Sequence, residues 1–157
     1  MRVGVTGHQR IGDESRWPKV EDEMARVISS CPKPFVGLSS LAIGADQRFA
    51  KIVLRTGGTL IAIVPFKGYE RTFDDDQEAL QSFRRLLAKA SEVETLKWHE
   101  SDESSFFAAG QRVADECDLL LAVWDGKPAA GLGGTADVVR YAKSRGRKVK
   151  QINPDEL

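Results

Sequence analysis

Short apolar runs of strand length alternate along the chain with longer stretches that carry apolar residues on one helical face. Two of the runs, residues 60–64 and 119–123, are apolar at every position. A strand is apolar on both of its faces only where its sheet is covered on both sides, so these runs predict central strands of a mainly parallel sheet. The alternation is typical of domains in which a helix follows each strand.

Six strands and five helices follow from this pattern. The strands are predicted at residues 3–5, 35–38, 60–64, 93–98, 119–124 and 148–152. The helices are predicted around apolar stripes at residues 17–28, 49–53, 79–90, 106–117 and 138–142. Aspartates 74–76 mark the start of the third helix, and Gly57-Gly58 and Gly146 mark the ends of the second and the last. We therefore expect one α/β domain over residues 1–157, a Rossmann-like three-layer structure with helices on both faces of a mostly parallel sheet.

Composition argues against several classes of protein. Lys and Arg total 23 and Asp and Glu total 23, so the formal net charge is zero and lacks the basic excess of a dedicated nucleic-acid-binding protein. No apolar run is long enough to cross a bilayer, and the first residues show no signal-peptide pattern, so we expect a cytoplasmic protein without a membrane partner. Cys31 and Cys117 do not form a disulfide framework or a metal-ligand spacing, and no metal site is predicted.

The first strand leads into Thr6-Gly7-His8-Gln9-Arg10. Ligands bind to sheets of this kind at the carboxyl ends of the strands, which makes this segment a candidate site. Gly7 permits a sharp turn and a close approach of backbone N–H groups, and Thr6 supplies a hydroxyl. His8 and Arg10 are suited to binding an anion such as phosphate.

The second strand leads into Ser39-Ser40-Leu41-Ala42-Ile43-Gly44-Ala45-Asp46. Two serines, a glycine and a helix start predict a small anion cradle. Asp46 either caps that helix or contacts the ligand, and the two roles are compatible. The third strand ends at Pro65, and the aromatic and basic segment after it, residues 66–69, either forms an ordinary surface loop or stacks on a nucleobase.

The fifth strand leads through Asp125-Gly126 into Gly131-Leu132-Gly133-Gly134-Thr135-Ala136-Asp137. Glycines followed by a threonine at a helix start have the composition of a phosphate-binding turn, with exposed N–H donors and a favourable helix dipole. The alternative is a flexible loop in which Thr135 caps the helix. Neither a Walker loop nor a G-x-G-x-x-G fingerprint after the first strand is present, so no cofactor is predicted.

Together these segments resemble the SMF/DprA–LOG (SLOG) superfamily of Rossmann-like proteins. Residues 39–46 and 57–64 are similar to the Ser-Gly-Leu-Ala-x-Gly-Ile-Asp and Gly-Gly-x-Thr-Ile-Ala-Val core of DNA-processing protein A. Gly133-Gly134-Thr135 resembles the Gly-Gly-x-Gly-Thr-x-x-Glu loop of the LOG phosphoribohydrolases, and residues 5–10 resemble the start of small stand-alone SLOG proteins. The resemblance implies the same fold, a nucleotide-derived ligand and a possible homodimer.

The resemblance departs from the enzymes of the superfamily at one carboxylate. LOG enzymes cleave the N-glycosidic bond of nucleoside monophosphates with a Glu whose position falls here on Val138. Nucleoside 2-deoxyribosyltransferases are similar at Asp125-Gly126 and Gly134-Thr135, and their nucleophilic Glu also falls on Val138. Asp137 and Asp125 are the candidates to replace it as nucleophile or base.

Three hypotheses for function follow. The leading one is a ligand sensor or binding protein for a nucleotide or nucleotide-derived phosphate ester. The alternative is an N-glycosidic hydrolase or transferase acting on nucleotides, with Asp125 or Asp137 as the catalytic group, and the second alternative is single-stranded DNA binding. Asp46 and Asp125 are expected to bond ribose hydroxyls or to order their loops. The candidate ligand-binding residues are Thr6, Gly7, His8, Arg10, Ser39, Ser40, Gly44, Ala45, Asp46, Pro65, Gln111, Gly133, Gly134 and Thr135.

Overall fold

The computed structural model describes residues 1–98, 102–128 and 134–157. Within these ranges six strands and five helices alternate as the apolar pattern predicts. The strands are β1 (Arg2–Gly7), β2 (Val36–Ser39), β3 (Thr59–Phe66), β4 (Glu92–Trp98), β5 (Leu119–Val123) and β6 (Lys148–Ile152). The helices are α1 (Trp17–Ser30), α2 (Ala45–Arg55), α3 (Gln77–Lys89), α4 (Glu103–Glu116) and α5 (Thr135–Ser144). Short 3-10 turns lie at Glu14–Arg16, Tyr69–Phe73 and Pro154–Glu156.

The strands form one parallel sheet in the order β4-β3-β2-β1-β5-β6. From β1 the chain builds outward through β2 and β3 to β4, then returns to place β5 on the other side of β1. Val3 accordingly pairs with Gly37 of β2 and with Leu119 of β5. The direction of winding reverses between β1 and β5, which is where open α/β sheets bind ligands.

Side-chain alternation along the inner strands divides the core into two layers. In β3, Leu60, Ala62 and Val64 belong to the layer covered by α1, α2 and α3, whereas Ile61 and Ile63 belong to the layer covered by α4 and α5. The continuously apolar runs are therefore internal strands buried on both faces, as the sequence predicts. The prediction of a Rossmann-like three-layer α/β fold is confirmed.

The helix ends also follow the sequence signals. The Asp76 side chain accepts a hydrogen bond from the Ala79 amide at 3.0 Å and caps α3. Gly57 and Gly146 follow α2 and α5 with left-handed φ values of 83° and 73°. Most strand ends differ from the predicted ones by one or two residues; β5, for example, stops at Val123, and Trp124 lies outside the strand. No described helix is both long enough and apolar enough to cross a membrane.

Candidate functional site

A cleft of about 570 Å³ opens where the carboxyl ends of β1 and β5 meet the first turn of α5. Its position is the reversal point of the sheet, and its volume is in the range of small-molecule sites. The segments after β1, β2, β3 and β5 form its base, and α4 and α5 form one side. Within the described ranges no three His, Cys, Asp or Glu side chains lie together as a metal-binding group.

The structure brings most of the predicted site residues to this cleft. Those that line it are Thr6, Gly7, His8, Ser40, Asp46, Pro65, Asp125, Gly134 and Thr135. The remaining described candidates are not part of its lining, namely Arg10, Ser39, Gly44, Ala45, Gln111 and Asp137. Arg10 is exposed, whereas Ser39 and Ala45 are buried in the supporting structure. Gly133 lies outside the described residues.

His8 and Asp125 face each other across the reversal point. The Nε2 atom of His8 lies 3.5 Å from Oδ1 of Asp125, and the Asp125 amide donates to the same nitrogen at 3.4 Å. The Lys127 amide donates to Oδ1 of Asp125 at 2.9 Å. This amide and the His8 ring hold the pKa of Asp125 below its usual range, against a smaller effect of burial. An ionised carboxylate therefore lies in the cleft at neutral pH.

Two loops of the site are packed backbone to backbone. The His8 carbonyl accepts a hydrogen bond from the Ala45 amide at 3.2 Å, and the His8 amide donates to the Val123 carbonyl at 3.1 Å. Gly44 has φ +89°, and a Cβ added there would lie 2.6 Å from the His8 carbonyl oxygen. Gly44 thus acts behind the cleft wall, by allowing the segment after β2 to approach the segment after β1.

Asp46 orders the loop after β2 and does not cap α2. The N-cap of α2 is Gly44, which makes no side-chain hydrogen bond. The Asp46 carboxylate instead accepts from the Ser40 amide at 3.2 Å, while Ser39 Oγ donates to the Asp46 carbonyl at 3.1 Å. Burial raises the pKa of Asp46 to about 7, although the amides of Ala42 and Ser40 oppose that shift. The predicted capping role is therefore wrong, and the predicted loop-ordering role is what the contacts show.

The first turn of α5 borders the cleft. Gly134 is the N-cap in extended conformation, and it has no side-chain capping bond, so Thr135 is not the cap. The Gly134 carbonyl accepts from the amides of Asp137 and Val138. Thr135 and Ala136 line the cleft, and within the described residues their amides have no hydrogen-bond partner. The cavity is therefore bordered by the positive end of the helix dipole and by two amides that have no partner among the described residues.

An aliphatic side chain occupies the position on which the sequence resemblance places the enzymes' glutamate. Val138 lines the cleft and is 3% exposed. It packs against α4, where a Cβ on Gly110 would lie 2.6 Å from Val138 Cγ2. Asp137, the neighbouring carboxylate, forms an ion pair with Arg140 at 3.3 Å and is not part of the lining. Of the two carboxylates considered for catalysis, only Asp125 reaches the cleft.

An aromatic wall closes the cleft on the β3 side. Tyr69 and Phe106 line it with ring centroids 6.3 Å apart, and Tyr69 packs edge-on against Phe73 at 5.4 Å. Burial and the nearby Asp46 carboxylate raise the pKa of the Tyr69 hydroxyl. Phe106 is 37% exposed and presents a ring to the cavity. Sequence reasoning assigned Phe106 to the apolar face of α4 and missed it as a site residue.

Fold and cleft together define a Rossmann-like α/β domain with a ligand cavity at its reversal point. No protein-family model matches the chain, and no curated protein sequence is significantly similar to it. Among solved structures, DNA processing protein A of Streptococcus pneumoniae superposes with a TM-score of 0.68 at 18% identity, over 97% of this chain and 50% of that one. The Helicobacter pylori protein of the same name, described as binding single-stranded DNA, gives 0.68 at 17% identity, over 98% and 65%.

A third neighbour, the structural-genomics target TM1055, gives a TM-score of 0.58 at 17% identity, over 94% of this chain and 71% of that one. The chain thus spans about half the length of the pneumococcal neighbour. At these identities the likeness is one of fold. The resemblance to DNA processing protein A that the sequence predicts is thus confirmed as a likeness of fold.

Proposed function

We propose that the chain binds a nucleotide, or a phosphate ester derived from one, in the cleft between β1 and β5. The observation that carries the proposal is the pair of amides on Thr135 and Ala136, which have no partner among the described residues and border a cavity of about 570 Å³ at the reversal point of the sheet. Helix N-termini of this kind bind phosphate because free N–H donors and the dipole both favour an anion.

The other groups in the cleft fit the remaining parts of such a ligand. The hydroxyls of Thr6 and Thr135 and the Lys127 ammonium add donors for the phosphate. The carboxylates of Asp46 and Asp125 are acceptors for ribose hydroxyls. The Tyr69 and Phe106 rings form an apolar wall for a base. Because Val138 replaces the glutamate of the related enzymes, binding without turnover, as in a ligand sensor, is the function this site supports best.

The direct test is calorimetry with nucleoside mono- and diphosphates, ADP-ribose and NAD, on the native chain and on Thr135→Pro. Proline is tolerated at the first helical position, and the extended Gly134 before it suits a following proline, so the variant removes one amide donor and one hydroxyl without breaking α5. We expect an affinity loss of about tenfold or more, as for charge-assisted hydrogen bonds.

The matched control is Gln77→Pro, which likewise places a proline at the first position of a helix, in α3, outside the lining of the cleft. It is expected to bind the same ligand with unchanged affinity. An absence of binding across the whole panel, or an equal loss in both proline variants, contradicts the proposal.

A second candidate is N-glycosidic hydrolysis or transfer, which the ionised Asp125 carboxylate in the cleft favours. In this reaction the carboxylate acts as nucleophile or base at the sugar. Release of free base from a nucleoside monophosphate, abolished by Asp125→Asn and retained by Asp137→Asn, supports it. If the nucleoside monophosphate binds and no free base is released, the result supports a ligand sensor instead.

Single-stranded DNA binding is the third candidate, because the H. pylori neighbour is described as binding single-stranded DNA. The zero net charge argues against it. A gel shift with an oligonucleotide that weakens steeply as salt rises supports it, since phosphate-dominated binding releases counterions.

We further propose that the protein is cytoplasmic and forms a homodimer. Sedimentation measures the oligomeric state.

A further inference from the structure

A second depression, the α2–α3 groove, lies outside the cleft. It has a volume of about 310 Å³, and its lining residues are Lys51, Leu54, Arg55, Ser82, Arg85, Leu86 and Lys89. Four of the seven carry positive charge and none carries negative charge. The α2 helix starts at the cleft, where Asp46 lies in its first turn, and ends at this groove with Arg55 in its last turn. The two cavities are therefore at opposite ends of one helix.

The four cations of the α2–α3 groove have no acidic partner within the described residues. For Arg55 and Arg85 this is unusual, because the other arginines of α1, α2 and α3 are each paired with a glutamate. The pairs are Arg26 with Glu23, Arg48 with Glu21, and Arg84 with Glu70. Cations in a last helical turn complement the dipole, which accounts for Arg55 and Lys89 but not for Lys51 and Arg85 one turn earlier.

The spacing of the charges suits a compact anion. Lys51 and Arg55 are four residues apart on α2, and Arg85 and Lys89 are four residues apart on α3, so each pair lies on one face of its helix about 6 Å apart. Packed helices are separated by about 8–10 Å, which places the two pairs on opposite sides of the groove. Ser82 lies in the groove at 4% exposure, with its hydroxyl 3.5 Å from the Arg85 guanidinium.

We propose that the α2–α3 groove is a second binding site, independent of the cleft, for a compact polyanion that carries two or more linked phosphate groups. The guanidinium groups of Arg55 and Arg85 provide forked donors for phosphate oxygens, and the two lysines add point charges. Among the described residues no aromatic side chain lines the groove, so it lacks the stacking platforms with which proteins hold single-stranded nucleic acid. A small polyphosphate ligand therefore fits it better than a polymer.

The test is calorimetry with inorganic tripolyphosphate at about 0.15 M salt, where weak surface attraction is screened. The groove variant combines Lys51→Gln with Arg85→Gln. The control variant combines Arg26→Gln with Arg84→Gln, which removes the same number of charges from neighbouring helices. We expect the groove variant to lose about tenfold or more in affinity and the control to change by less than about twofold. Thr135→Pro, which alters only the cleft, is expected to leave this binding unchanged.

Thermal unfolding checks that both double variants remain folded, as expected for exposed side chains. The proposal is overturned if tripolyphosphate does not bind at this salt concentration, or if the two double variants lose affinity equally. It is also overturned if Thr135→Pro abolishes the binding, since the ligand is then in the cleft. A further outcome is that oligothymidylate or polyglutamate binds to the native chain but not to the groove variant, while tripolyphosphate does not bind. That result assigns the groove to a macromolecule and likewise overturns the proposal.

Discussion

His8 and Asp125 join the two strands between which the sheet reverses direction. Their side chains approach to 3.5 Å between Nε2 and Oδ1, although the residues are 117 positions apart in the chain. The Asp125 amide also donates to Nε2 at 3.4 Å, which requires that nitrogen to be an acceptor. Through Nε2 the ring ties the segment after β1 to the segment after β5 at the cleft.

The first prediction concerns the carboxylate of this pair. The Lys127 amide is the largest cause of the lowered pKa of Asp125, and His8 contributes less. His8→Ala is therefore expected to raise the pKa of Asp125 only partway toward the ordinary value of 3.8. Carboxyl-carbon NMR during an acid titration measures it. If the pKa of Asp125 returns fully to the ordinary value in His8→Ala, the hydrogen bond from the Lys127 amide has no effect in solution.

A second prediction follows from buried Asp46. Its pKa of about 7 in the folded chain is above the ordinary 3.8, so between these values the folded state binds a proton that the unfolded state has lost. The free energy of unfolding contributed by this group therefore falls as the pH rises from about 4 to 7. Asp46→Asn removes this dependence. Between pH 4 and 7 the free energy of unfolding of the variant is expected to rise relative to that of the native chain by up to about 4 kcal/mol, at 1.36 kcal/mol per pKa unit.

Urea unfolding at several pH values measures the difference between the two chains. Ser39→Ala is a suitable companion, because it removes a hydroxyl from the same loop without adding or removing a titrating group. It is expected to lower stability at every pH, and by slightly more at the upper end of the range, because the Ser39 hydroxyl lowers the pKa of Asp46. Parallel pH profiles for the native chain and Asp46→Asn exclude a raised pKa at this position.

The third prediction separates the base subsite from the phosphate subsite of the cleft. Phe106 is 37% exposed and lines the cavity, so its ring is available to stack on a base. Phe106→Ala is expected to weaken nucleotide binding by about tenfold, from a stacking energy of about 1–3 kcal/mol, and to leave phosphate binding unchanged. Trp98→Ala is the control, since Trp98 is a similarly exposed aromatic side chain on β4 outside the cleft. If Phe106→Ala weakens the binding of nucleotide and of phosphate equally, the base does not stack on Phe106.

The strands, the helices and the general place of the site were predictable because their signals are local or topological. Apolar periodicity within each segment predicts a strand or a helix, and Asp76 and Gly57 mark helix ends that the structure contains. Parallel strands end at one edge of their sheet, so the segments after β1, β2 and β5 had to meet once the strands were placed. This convergence brings Thr6, Ser40 and Thr135 into one cleft.

Side-chain direction and contacts between distant segments were not predictable in the same way. Asp46 lies where a capping residue is expected, but its carboxylate bonds the Ser40 amide because the loop after β2 folds back over the helix. Phe106 has the spacing of a core residue, and only the packing of α4 beside Tyr69 exposes its ring to the cavity. The cations of the α2–α3 groove resemble solvated helix faces until the two helices are placed side by side.

The last prediction tests the close packing behind the cleft. Gly44 and Gly57 both have left-handed φ values, +89° and +83°, but a Cβ on Gly44 would lie 2.6 Å from the His8 carbonyl oxygen, whereas one on Gly57 would meet nothing within 4 Å. Gly57→Ala therefore has only the conformational cost, about 1–2 kcal/mol. Gly44→Ala adds a clash with backbone that cannot rotate away, so its free energy of unfolding is expected to fall by about 3 kcal/mol or more. Urea unfolding of the two variants compares these costs directly. Equal losses would show that the loops after β1 and β2 do not pack this closely in solution.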